Sequence, residues 1–323
     1  MRILIVGGTS FVGRAIAWSA WHHGHAVTVL TRGRTVSDLP EAVEHLVGDR
    51  AGDLGALERR DFDATIDVIA YRPLDVERLA DALGDRGGRH LQISSVSAYR
   101  ETDRFGASED DLDLWPADGL APDAGVTPAS YGPLKAACER AARRRFGDDV
   151  TIVRPTYVVG AHDYTLRFPY WVARAARGGD VAVPGPREAR LQWIDARDLA
   201  EFTLGVLADG LTGPFHVAAP SGGESFVGAI ERVVAHVAPP GTRVTEVPAE
   251  AVLAAGLEAA FPLWSPRPEA VSTLDTTRAE AAGLVARPLE ESVEDVAEWW
   301  DDRAWPERWL SSEAEARLLE TAP

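Results

Sequence analysis

The sequence predicts an α/β fold, a doubly wound parallel sheet followed by a smaller C-terminal α/β unit, and three observations carry that reading. Short apolar runs alternate with helical patterns through the first half of the chain, as βαβ units require. The first run, Ile3-Leu4-Ile5-Val6, passes through the turn Gly7-Gly8-Thr9-Ser10-Phe11-Val12-Gly13 into an amphipathic pattern. Beyond residue 160 the rhythm loosens, which marks a second unit within the 323 residues.

Taken in order, residues 3–6 form a buried strand and 12–23 the first helix. Strands follow at 26–30, 44–47 and 64–69, then a helix at about 74–83 and a fifth strand at 90–94. Residues 131–146 read as a long helix and 150–154 as a sixth strand. Such a sheet opens its ligand crevice at the strands' carboxyl ends. Residues 101–130, rich in Asp, Glu, Gly and Pro, are too long for an idle connection and predict a loop at the mouth of that crevice. Further on, 166–177 and 225–237 read as helices, 215–218 as a short strand, and 193–206 as a return to the sheet. The domains are therefore expected at 1–160, binding a dinucleotide, and 161–323, binding substrate, with a return to the first near 191–218. Trp264, Trp299, Trp300, Trp305 and Trp309 read as packing of the second unit.

Composition excludes several partners. A formal charge of −17 opposes nucleic-acid binding, which rests on neutralising phosphates. No apolar run approaches the roughly 20 residues of a membrane span, and the apolar start is too short for a secretory signal. A single cysteine, Cys138, allows no internal disulfide, and a reducing cytoplasm is the expected home. No CxxC or HExxH spacing occurs, and His22, His23 and His25 read as a solvated turn, so no metal is expected.

Four segments carry chemistry. The glycine turn, following a strand and opening a helix, offers backbone N–H groups and a positive helix end to a dinucleotide pyrophosphate. Gly7, Thr9, Ser10, Phe11 and Val12 are its expected contacts. The second strand ends Leu30-Thr31-Arg32-Gly33-Arg34, where an NAD enzyme would carry an acid for the ribose 2′-hydroxyl. Two arginines there suit a 2′-phosphate, which predicts NADP(H) over NAD(H). Of 33 basic residues only Lys135 is a lysine, and Tyr131 lies four positions before it, on the same helix face. A tyrosine hydroxyl, with an ordinary pKa of about 10, becomes a useful proton carrier beside such a cation. Finally, Ser94-Ser95-Val96-Ser97-Ala98-Tyr99 closes the fifth strand, where a hydroxyl can steady a carbonyl oxygen as charge develops.

Together these residues resemble the extended short-chain dehydrogenase/reductase family, also called NAD-dependent epimerase/dehydratases, over nearly the whole chain. The family's GxxGxxG appears as Gly7-x-x-Ser10-x-x-Gly13, with serine at the middle glycine, and its YxxxK as Tyr131-Gly132-Pro133-Leu134-Lys135. The resemblance implies a Rossmann domain and selects Ser95, four residues before Tyr99, as the catalytic hydroxyl. It implies adenine-side contacts at Asp49 and Arg50, and a nicotinamide-ribose contact at Ala70 in Ile69-Ala70-Tyr71. Arg154-Pro155, Asp195 to Leu199, and Pro288-Leu289-Glu290-Glu291-Ser292 look like later landmarks. The chain departs from sugar-nucleotide dehydratases by Val96-Ser97 in place of Asp-Glu, and from nucleotide-sugar epimerases by Tyr157 in place of Asn.

The expected activity is an NADP(H)-dependent oxidoreductase acting on a small carbonyl compound, in which Ser95 orients, Tyr131 donates the proton and Lys135 supports both tyrosine and ribose. A cofactor-retaining epimerase uses the same trio and is the alternative. A non-catalytic RNA- or cofactor-binding relative is a third reading, opposed by the intact trio and the charge. The partner is a small molecule, and the family also admits a homodimer. In loop 101–130, Glu101, Asp103, Glu109, Asp110, Asp111, Asp113, Asp118 and Asp123 stand against Arg104, so a neutral or cationic substrate is expected.

Overall fold

The computed structural model of the chain describes residues 1–100, 104–116, 119–121, 124–147, 149–266, 270–301 and 303–322. The apolar runs become the central strands β1 (Arg2–Val6), β2 (Ala26–Thr31), β3 (Glu44–Val47), β4 (Ala64–Asp67), β5 (Arg89–Ile93) and β6 (Thr151–Pro155). Apart from the edge strand β3, they are buried on both faces, with apolar residues at 3–6 of β1 and polar side chains such as Asp67, His90, Gln92 and Arg154 also enclosed in β4 to β6. Helix α1 (Phe11–His22) follows β1, α2 (Pro73–Leu83) follows β4, and α3 (Pro128–Phe146) precedes β6.

After β6 come β7 (Tyr157–Val159), α4 (Arg167–Ala176), β8 (Asp180–Pro184), β9 (Arg190–Asp195), α5 (Ala196–Asp209) and β10 (Gly213–Val217). The last third holds β11 (Ala219–Ser225), α6 (Phe226–Val237), β12 (Arg243–Val247), α7 (Ala249–Ala254), α8 (Thr277–Ala281), α9 (Leu289–Trp300) and α10 (Ser312–Leu319).

The doubly wound parallel sheet is present, in the order β10-β6-β5-β4-β1-β2-β3. Six of its seven strands come from the first 160 residues, and the seventh, β10, falls on the short strand expected at 215–218 and pairs in parallel with β6 at the edge. The order reverses between β1 and β4, so the crevice opens beyond the carboxyl ends of those two strands. Segment 193–206 is largely not a strand: it finishes β9, in a separate three-stranded sheet with β7 and β11, and then forms α5 against α1. A second core gathers Trp171, Phe226, Phe261, Trp264 and Trp309, with Trp300 and Trp305 packed against it.

Two local details place the site. A β-carbon on Gly13 would lie 2.0 Å from the Gly7 carbonyl oxygen, so only glycine lets α1 begin this close to the β1 turn. Helix α3 starts three residues before the expected Tyr131, because Thr127 and Ser130 form a reciprocal cap and Pro128 occupies the first turn. Among the described residues no helix is long and apolar enough to cross a membrane, and no cluster of three His, Cys, Asp or Glu could hold a metal.

Candidate active site

A cleft of about 710 Å³ lies at the sheet's switch point. Gly7, Ser10, Phe11, Val12, Arg32, Ser95, Tyr131 and Lys135 all line it. Residues over 120 positions apart in sequence thus share one wall, because β1, β2, β5 and α3 converge there.

The serine comes from the end of β5. Ser95 starts a short 3-10 turn, and its Oγ accepts a hydrogen bond from the Ser97 N–H at 3.2 Å. The hydroxyl hydrogen is left for a ligand. Its neighbour Ser94 donates to Glu139 at 2.5 Å.

The tyrosine and lysine come from α3. Gly132 brings that helix against the serine turn, since a β-carbon there would meet the Ser97 carbonyl oxygen at 2.3 Å. Lys135 is almost fully buried, and its Nζ donates to the carbonyls of Ile93 (2.9 Å) and Ala70 (3.2 Å). An ammonium has three donors, so one remains. The same Nζ lies 5.1 Å from the ring centre of Tyr71, whose ring is 6.5 Å from that of Tyr131. Burial, with the Tyr164 and Tyr131 hydroxyls nearby, pushes the Tyr71 hydroxyl far above its ordinary value.

Behind this wall runs a chain of buried polar groups. Arg154 on β6 donates to both Glu139 carboxylate oxygens, at 2.9 and 2.6 Å, and to the Tyr99 hydroxyl at 2.5 Å. The Tyr99 hydroxyl meets His216 Nε2 at 2.6 Å. His216 Nδ1 lies 3.0 Å from the Asp275 carbonyl, which can only accept, so Nδ1 carries the hydrogen and Nε2 accepts from Tyr99. Burial lowers the His216 pKa, in keeping with a neutral ring.

The fit to a dinucleotide rests on the cleft's first wall. Ser10 caps α1 without a side-chain hydrogen bond, which leaves first-turn N–H groups for an anion. Arg32 is exposed at the cleft and has no partner among the described residues.

Other expected contacts lie elsewhere. Arg50 does not line the cleft: its buried guanidinium donates to both Asp67 oxygens, at 2.7 and 2.8 Å. Asp49 is exposed outside the cleft, and its carboxylate accepts from the Ala51 N–H at 2.9 Å. Thr9 and Arg34 do not line the cleft, and Ala70 reaches it only through the carbonyl that holds Lys135. The landmarks Asp195 and Ser292 meet, the serine donating at 2.6 Å, away from the chemistry.

Four of the eight acids expected at the rim lie among the described residues, and each has a partner there. Glu109 accepts from the His216 N–H, Asp110 and Glu109 pair with Arg278, Asp111 pairs with Arg104, and Asp113 with Arg100. Glu101, Asp103, Asp118 and Asp123 lie outside the described residues. The loop lends the cleft Val126, and no described carboxylate lines it.

Sequence reasoning missed Glu139, Tyr164 and Arg167. Glu139 was findable, lying at the next i+4 step beyond Tyr131 and Lys135. Arg167 carries no local signal, because α4 is brought to the cleft only by the second core.

Comparison with known proteins agrees with this architecture. The family model described as "NAD dependent epimerase/dehydratase family" matches residues 3–218. The chloroplast stem-loop binding protein of 41 kDa b of Arabidopsis thaliana is 26% identical over 224 residues, covering 64% of this chain and 55% of that protein. A bifunctional pinoresinol-lariciresinol reductase of Thuja plicata is 28% identical over 220 residues, covering 64% of this chain and 65% of its own. The match thus spans less than two thirds of either relative. Among solved structures, UDP-N-acetylglucosamine 4-epimerase from Bacillus cereus superposes with a TM-score of 0.69 at 18% identity, over 96% of this chain and all of that one.

Proposed function

This chain belongs to the NAD-dependent epimerase/dehydratase family, and on that premise we propose that it is an NADP(H)-dependent oxidoreductase of a small carbonyl compound or its alcohol. One observation carries the reading: Ser95, Tyr131 and Lys135 line the same cleft as the glycine turn. The nicotinamide, when bound, supplies or takes up the hydride. Ser95 donates its free hydroxyl hydrogen to the carbonyl oxygen and holds it as negative charge develops. Tyr131 delivers the proton to that oxygen. Lys135, one helical turn on, offers its third N–H to a ribose hydroxyl, and its charge favours the tyrosine oxygen as the proton leaves. Arg32 would hold the 2′-phosphate of the cofactor. Cys138, the single cysteine, is buried and suits a reducing cytoplasm.

The test is stoichiometric. Incubation with NADPH and a panel of aldehydes and ketones should yield one NADPH oxidised per alcohol formed. A cofactor-retaining epimerase would use the same side chains and leave bulk NADPH unchanged, so the same assay separates the two. The stem-loop-binding relative raises an RNA role, which the charge of −17 opposes. A gel shift at moderate salt should show no retarded complex.

A further inference from the structure

The chain carries 50 acidic residues against 33 basic ones, yet among the described residues the charged side chains lining the cleft are three cations: Arg32, Lys135 and Arg167. Two of these have tasks in the proposed reaction, the first at a 2′-phosphate and the second at tyrosine and ribose. Arg167 has none. It opens α4, on the wall built by the second core, among Tyr157, Tyr164 and Thr165.

The arginine is held in a fixed pose. Its guanidinium carbon sits 5.2 Å from the centre of the Tyr157 ring, and its Nε donates to Thr165 Oγ1 at 3.0 Å. Neither terminal nitrogen has a partner among the described residues. Tyr157 occupies the position where nucleotide-sugar epimerases carry Asn, so the ring that supports Arg167 is this chain's own departure. A guanidinium braced on one edge presents its other donors as a planar fork, the geometry that takes two oxygens of a carboxylate or phosphate. The same cleft is lined by apolar surface from Val126, Val271 and the Tyr164 ring.

We propose that Arg167 anchors an anionic oxygen pair, carboxylate or phosphate, on a carbonyl substrate whose apolar body packs on Val126, Tyr164 and Val271. This rests on the oxidoreductase reading and narrows its substrate class. A dinucleotide must fill much of the 710 Å³, so the substrate is small.

The experiment uses the full chain with NADPH and three matched aldehydes: 4-methylbenzaldehyde, 4-carboxybenzaldehyde and 4-formylphenyl phosphate. At least one anionic aldehyde should exceed the neutral one about tenfold in kcat/KM, and the stronger anion identifies the group. Arg167→Met should bring that ratio toward one, with Arg167→Lys between, and NADPH binding in each variant reports that it folds. A second readout needs no turnover: benzoate or phenyl phosphate should quench tryptophan fluorescence of the NADPH complex saturably, and Arg167→Met should abolish this. Turnover in which the neutral aldehyde equals or exceeds both anions overturns the inference and leaves the oxidoreductase reading standing. Anion binding that requires Arg167, with no aldehyde reduced, supports the anion site and overturns that reading instead.

Discussion

Gly132 lies so close to the Ser97 carbonyl that no side chain fits between helix α3 and the serine turn. The contact sets the distance between Tyr131, one residue before the glycine, and Ser95, two before the serine. The obstacle at 2.3 Å is backbone, with the Trp115 Nε1 at 2.8 Å beside it, so a flexible side chain cannot simply swing away.

Gly132→Ala should therefore push α3 off the turn. Overpacking of this kind costs about 1–3 kcal/mol, read as a lower thermal midpoint. Turnover should fall more than tenfold, while the dissociation constant for NADPH changes much less, because Arg32 and the glycine turn lie on other elements. An alanine variant with unchanged kcat would show that the approach does not position the pair.

Arg32 should decide cofactor choice. NADPH should bind at least about tenfold more tightly than NADH, a difference of 1.4 kcal/mol. Arg32→Ala should erase most of that preference, while Arg34→Ala, outside the cleft, should not. Titration of each protein with both cofactors measures this directly, and equal constants in the parent chain would defeat the assignment.

His90 should make stability depend on pH. Its ring is buried, stacked 3.8 Å from Phe146, and neither nitrogen has a hydrogen-bond partner. Burial pushes its pKa down to about 4, with the Asp67 charge opposing and Arg50 reinforcing. The folded state thus resists a proton that the unfolded chain accepts at about 6.5. Stability is full above about 6.5 and is lost as the pH falls toward 4, by on the order of 3 kcal/mol. His216, also lowered by burial, acts in the same direction. Urea midpoints between pH 7 and 4.5 should fall less steeply in His90→Leu than in the parent chain. Parallel curves would exclude His90 as a source.

The sheet and the grouping of Ser95, Tyr131 and Lys135 on one cleft were legible in sequence because each rests on local pattern. Apolar runs marked β1 through β6, and a unique lysine four positions after a tyrosine marked one helix face. What was not legible depends on tertiary pairing. Arg50 reads as a free cation until Asp67, at the end of β4, claims it. The acids of 101–130 read as a rim until Arg278, from far along the chain, draws Glu109 and Asp110 away from the cleft. The strand expected at 215–218 appears as β10, but its place beside β6 is a tertiary pairing that no short-range period records.

The proton donor is the centre of the account, and Tyr131→Phe tests it most directly, since it removes one hydroxyl and keeps the ring. With a reduced aldehyde in hand, NADPH oxidation and alcohol formation should be measured together in the parent and variant chains. The account predicts one NADPH per alcohol in the parent, a loss of roughly 10²-fold or more in turnover in the variant, and little change in NADPH affinity. Near-normal turnover in Tyr131→Phe would contradict it.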